Sequence, residues 1–131
     1  MKIAVLGIGG VGGIIGGVLA RKEEETYFIA RGKTLEAIRR GGLHVESALF
    51  GDFTVRPRKI AKTADDFGVM DAVIISCKGY SLKDACRIIS TMVGSDTLVV
   101  PLLNGVGVSD MMKPLLPPCI LADGVIYVFS I

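Results

Sequence analysis

Residues 1–20 read MKIAVLGIGGVGGIIGGVLA and contain Gly7-Ile8-Gly9-Gly10-Val11-Gly12, a G-x-G-x-x-G. The five residues ahead of it, 2–6, are KIAVL, which reads as a short buried strand. Behind it, Val11, Ile14, Ile15, Val18 and Leu19 fall at i, i+3, i+4, i+7 and i+8, one apolar stripe at the helical period. The glycines therefore sit where a strand turns into a helix, the context in which this motif cradles a dinucleotide. Gly7 permits the tight turn out of the strand. Gly9, without a side chain, lets a pyrophosphate approach the backbone, and Gly12 lets the helix pack close to the sheet. The helix N-terminus offers free N–H groups and partial positive charge to the phosphates.

Other readings of the same stretch are weaker. Residues 3–20 carry no charge and are about as long as a membrane span, with small-residue spacings such as Gly9/Gly13 and Gly12/Gly16. Yet each interior glycine costs a helix about 1 kcal/mol relative to alanine. A secretory leader would have only Lys2 as its basic region and glycines breaking its apolar run. A P-loop would need lysine where Gly13 stands.

The 131 residues make one domain, 1–131, long enough to bury a core. Half are hydrophobic and none is Trp, while a net charge of +2 with scattered Lys and Arg argues against a nucleic-acid surface. Cys77, Cys86 and Cys119 lack C-x-x-C spacing and leave one thiol over, as in a reduced cytoplasmic protein. His44 is the sole histidine, so no metal site and no histidine-based triad is expected.

Along the chain, residues 26–30 (TYFIA) read as a second strand, and 33–40 as a helix with Leu35 and Ile38 inward, stopped at Gly41-Gly42. Residues 43–55 suggest a hairpin or two short strands around Gly51-Asp52. Residues 56–62 read as a basic, solvated connector without a role, and Asp65-Asp66 as the start of a short helix or turn. Residues 72–76 form a continuous apolar strand of the kind buried on both faces. Ser81 then caps a helix running to about Met92, with Asp84 three residues on. Residues 97–100 are another strand, 109–116 a helix, and 120–122 and 125–130 strand segments.

Strands alternating with helices imply an α/β, Rossmann-type, doubly wound and mostly parallel sheet with helices on both faces. In such a sheet the strand C-termini share one edge, and ligands bind there. The glycine loop, Arg31, Lys78 and Asn104 each follow a strand and so converge on that edge. Arg31 stands where an acidic residue would favour NAD; an arginine can instead pair with the 2′-phosphate of NADP. Lys78 can supply charge to the cofactor or an acidic substrate, and Asn104 can position the nicotinamide end or a substrate carbonyl. Without a ligand, Arg31 and Lys78 are surface cations and Asn104-Gly105 a common turn pair.

MKIAVLGIGGVGG, IARGKTLEAIRRGGL, ISCKGYSLKDA and PLLNGVG, in this order, resemble the N-terminal domain of ketopantoate reductases (2-dehydropantoate 2-reductases) over nearly the whole chain. The resemblance implies NADPH as cofactor and a small 2-oxo acid, 2-dehydropantoate, as substrate, reduced to pantoate on the way to coenzyme A. Residues Gly7, Ile8, Gly9, Gly10, Val11 and Gly12 would form the phosphate loop and Arg31 would hold the 2′-phosphate. Lys78 would match the cofactor-side lysine, Asn104 the asparagine that touches both cofactor and substrate, and Ser130 would approach the cofactor. The family's general-acid lysine and substrate-binding glutamate belong to a helical C-terminal domain with no counterpart in these residues. No catalytic residue is therefore assigned here, and the resemblance implies an inactive cofactor domain. A homodimer is among the expected assemblies, with apolar residues near 101–103 and 125–131 exposed where the missing domain would sit. Two alternatives stay open: a Rossmann module that senses NAD(P) without chemistry, and a reductase of another 2-oxo acid.

Overall fold

The computed structural model describes residues 1–22, 25–76, 80–103 and 107–123. The expected strand at 125–130 lies outside them. Strands β1 (Lys2–Leu6), β2 (Glu25–Ile29), β5 (Lys59–Ala61), β6 (Ala72–Ile75), β7 (Leu98–Pro101) and β8 (Ile120–Leu121) form one sheet in the order β5-β2-β1-β6-β7-β8. Every adjacent pair in it is parallel. Strands β3 (Leu43–Ser47) and β4 (Gly51–Val55) form a separate antiparallel hairpin. The helices are α1 (Gly10–Arg21), α2 (Gly32–Gly41), α3 (Leu82–Ile89) and α4 (Val108–Met112), and short 3-10 turns extend α3 and α4.

Alternation along the strands sends side chains to two cores. Ala4, Leu6, Tyr27, Ile29, Val73, Ile75 and Val99 join Ala85, Cys86 and Ile89 of α3 and Met112 of α4 in the larger one. Val5 and Phe28 meet Leu35 and Ile38 of α2 on the opposite face. Helices thus cover both faces, as expected, but unequally. Leu98 and Ile120, paired across β7 and β8, remain 36% and 53% exposed on the face that carries α1 and α2. For the same reason Ala72 and Ile74 of β6 are only half-buried, so this strand is sealed on one face rather than two.

The buried side of α1 differs from the apolar stripe. Gly12, Gly13, Gly16 and Gly17 are its buried residues, while Val11, Ile14, Ile15, Val18 and Leu19 are half-buried. The helix lies too close to its neighbours for side chains. A Cβ at Gly16 would stand 2.9 Å from the Phe28 ring, and one at Gly17 would stand 2.6 Å from Val45 of the hairpin. Closest of all is Gly12, where a Cβ would fall 1.9 Å from the Gly7 carbonyl oxygen.

Three further expectations change. Residues 59–61 are strand β5, not loop; pairing with β2 gives this short basic run its conformation. The hairpin turns at residues 48–50, where Ser47 Oγ accepts from the N–H groups of Leu49 and Phe50. Gly51, at φ +79°, instead opens β4 opposite Ser47. Pro101 is buried and Leu102 and Leu103 half-buried, so the expected exposed patch is not formed there; residues 125–131 lie outside the described residues. The second helix, by contrast, ends as anticipated: Gly42, at φ +80°, donates to Ile38 O at 2.8 Å.

Two glycines of α1 separate packing from helix propensity. Gly12→Ala drives a Cβ into backbone and should destabilise the fold by about 2 kcal/mol or more. At Gly13 a Cβ meets, among the described residues, only Leu43 at 4.0 Å. Gly13→Ala should therefore leave stability unchanged or raise it by up to about 1 kcal/mol. Urea denaturation of both variants checks the pair.

Candidate functional site

The strand order reverses beside β1. From β1 the chain runs outward to β2 and β5, then returns to β6 on the other side. Such a reversal opens a crevice outside the strand C-termini, because the flanking connections leave in opposite directions. Gly7–Gly12 lie at this crevice, directly after β1. Gly7, at φ +90°, makes the turn, and its N–H donates to Ile29 O of β2 at 3.0 Å. Ile8 sends its side chain into the smaller core, so it has only backbone to offer a ligand.

Gly9 is the N-cap of α1, and no side chain caps this end. The first intrahelical bond runs from Gly13 N–H to Gly9 O at 2.8 Å. The N–H groups of Gly10, Val11 and Gly12 precede it and have no acceptor within the helix. No acidic residue occupies the first turn, so the partial positive charge there is not offset. Among the described residues, a Cβ at Gly9 would meet nothing within 4 Å. Packing among them therefore does not require glycine at this N-cap, whereas a ligand approaching the backbone would favour it.

Arg31 follows β2 as the extended N-cap of α2. Its guanidinium lies over the Tyr80 ring, 4.0 Å from the centroid. Tyr80 follows β6 and packs against the larger core. Because β1 separates β2 from β6, this cation–π contact reaches across the end of β1, over the crevice. Ser76, at the end of β6, also belongs here: its Cβ would be 3.4 Å from a Cβ at Gly12. Lys78 and Asn104, assigned to this edge from sequence, lie outside the described residues, as does Ser130.

Sequence reasoning attached no role to Tyr80 or Ser76. The signal for Tyr80 was its position directly ahead of a helix cap. That cap forms: Ser81 Oγ accepts from Asp84 N–H at 3.0 Å. The Asp84 carboxylate turns instead to Arg87, 3.2 Å away, so only half of the capping box closes. Among the described residues no three His, Cys, Asp or Glu side chains gather as a metal site would require. Burial pushes the Cys119 thiol above its ordinary pKa, which disfavours the nucleophilic thiolate.

The cap that ends the Tyr80 segment should be measurable. Ser81→Ala should cost about 1 kcal/mol in urea denaturation, while Ser81→Gly should lose only a few tenths.

The sequence pattern of the family described as ketopantoate reductase PanE/ApbA matches residues 3–131. A 2-dehydropantoate 2-reductase of Pyrococcus horikoshii is 36% identical over 107 residues, 82% of this chain and 34% of that protein. YkpB of Bacillus subtilis, an uncharacterized oxidoreductase, is 36% identical over 105 residues, 80% of this chain and 34% of that protein. Among solved structures, the 2-dehydropantoate 2-reductase of Porphyromonas gingivalis is similar at a TM-score of 0.88 and 36% identity, covering 98% of this chain and 47% of that one. The chain thus spans about a third of the length of the curated relatives it matches. The match of the family pattern to residues 3–131, on a chain whose glycine loop stands at the strand reversal of its sheet, places this chain in the ketopantoate reductase PanE/ApbA family.

Proposed function

We propose that this chain is the cofactor domain of an NADPH-dependent reductase that converts 2-dehydropantoate to pantoate. The observation that carries the reading is the uncapped N-terminus of α1 at the strand reversal, with open space at Gly9 and Arg31 on the same edge. Donors without acceptors and a position kept free of side chains suit a pyrophosphate. Relatives at about one-third identity bear the reductase name, which supports the substrate assignment.

In this reading the N–H groups of Gly10, Val11 and Gly12 bind the pyrophosphate, and the short Gly9 keeps the approach open. Arg31, after β2, meets the 2′-phosphate with a planar, permanently charged fork. When bound, the nicotinamide supplies the hydride that the 2-oxo carbon accepts. Lys78 and Asn104 follow β6 and β7 in sequence, and to them fall cofactor charge and alignment of the substrate carbonyl. The proton for the developing alkoxide is assigned to a lysine outside residues 1–131, as the family resemblance implies.

The test is a fluorescence titration with NADPH and, separately, NADH, on the wild type and on Arg31→Ala. NADPH should bind more tightly. Arg31→Ala should erase that preference at a cost of about 1.5–3 kcal/mol, roughly ten- to a hundred-fold in affinity. Equal binding of the two cofactors by the wild type would overturn the assignment of NADPH.

A further inference from the structure

The basic run at residues 56–62 has no role in the site described so far. Strand β5 changes that. Its register sets Ile29 of β2 beside Ala61, and Ala30 N–H donates to Ala61 O at 3.1 Å. Lys62 therefore leaves the sheet level with Ala30, one residue short of Arg31, on the strand next door. Adjacent strands lie about 4.8 Å apart, so the two cationic residues exit the same edge side by side.

Lys62 lines an open groove with Gly32, Lys33, Glu36 and Arg40 of α2. Three cations face one carboxylate there, and Glu36 is already paired with Arg39 at 3.6 Å. Among the described residues no carboxylate comes within ion-pair distance of Lys33, Arg40 or Lys62. The groove also receives the start of α2. No side chain caps that helix, its first turn holds no acid, and the space beside Gly32 is open. Arg31 contributes from the other flank, because its guanidinium lies toward β6 over Tyr80.

We infer that Lys62, with Lys33, forms the second flank of the seat for the ribose 2′-phosphate, opposite Arg31. The inference rests on the NADPH reading above. A phosphate monoester carries nearly two negative charges at neutral pH, more than one guanidinium offsets. Held between Arg31 on one side and Lys62, Lys33 and the N–H groups of α2 on the other, it would be compensated from both flanks. NADH places only a neutral 2′-hydroxyl there, so the flank acts on cofactor choice and not on general affinity.

Lys62 is exposed, so its replacement leaves the core intact. Affinities for NADPH and NADH are measured by nicotinamide fluorescence on the wild type, Lys62→Gln, Lys62→Glu and Lys62→Arg. Lys62→Gln should weaken NADPH about three- to ten-fold and leave NADH unchanged. Lys62→Glu should weaken NADPH further, and Lys62→Arg should restore the wild-type ratio. A wild type that prefers NADPH, with the ratio unmoved in Lys62→Gln and Lys62→Glu, overturns the role of Lys62 and leaves that of Arg31 standing. A wild type without preference overturns the NADPH reading itself, and this flank with it.

Discussion

A carbonyl group and a missing methyl group set the geometry of this domain. The Gly7 carbonyl oxygen stands 1.9 Å from where a Cβ at Gly12 would be, so the strand can hand over to the helix only with glycine there. That approach brings α1 down onto the sheet, and Gly16 and Gly17 carry it along Phe28 and Val45. Contact is made by backbone rather than by interlocking side chains, which brings the helix closer than leucine or valine would allow. The same descent fixes where the helix begins, and so where its free N–H groups stand relative to the strand ends.

From that start the sheet topology does the rest. With β2 and β5 on one side of β1 and β6 to β8 on the other, everything that follows a strand collects along one edge. Local sequence gives Gly7–Gly12 their turn and Ser81 its cap. Strand pairing sets Arg31, Tyr80 and Lys62, from three separate segments, along one edge. The contact between Arg31 and Tyr80, 4.0 Å across the end of β1, exists only because β1 is the central strand between their two strands. The site is therefore a property of strand order as much as of any motif.

This division explains what could be read in the sequence. Short-range signals were legible: the strand at residues 2–6, the inward Leu35 and Ile38, the stop at Gly42 and the Ser81 cap all depend on a few neighbouring residues. The edge positions of the glycine loop and Arg31 were legible because their spacing is local to one strand–helix–strand unit. The buried face of α1 was not, because a periodicity rule ranks valine and isoleucine above glycine and cannot see Phe28 approaching. Strand β5 was not, since only its register with β2 makes a strand of Lys59–Ala61. Lys62 was missed for the same reason, and Tyr80 because only the order β2-β1-β6 brings its ring under Arg31.

In the proposed cofactor domain, the open space at Gly9 serves a bound dinucleotide and not the fold. Gly9→Ala separates the two directly, with a urea melt and an NADPH titration on the same preparation. Stability should stay within about 1 kcal/mol of wild type, since among the described residues the added Cβ meets nothing within 4 Å. NADPH affinity should fall about ten-fold or more, the equivalent of at least about 1.4 kcal/mol. Unchanged NADPH affinity in a variant of normal stability would overturn this role of Gly9.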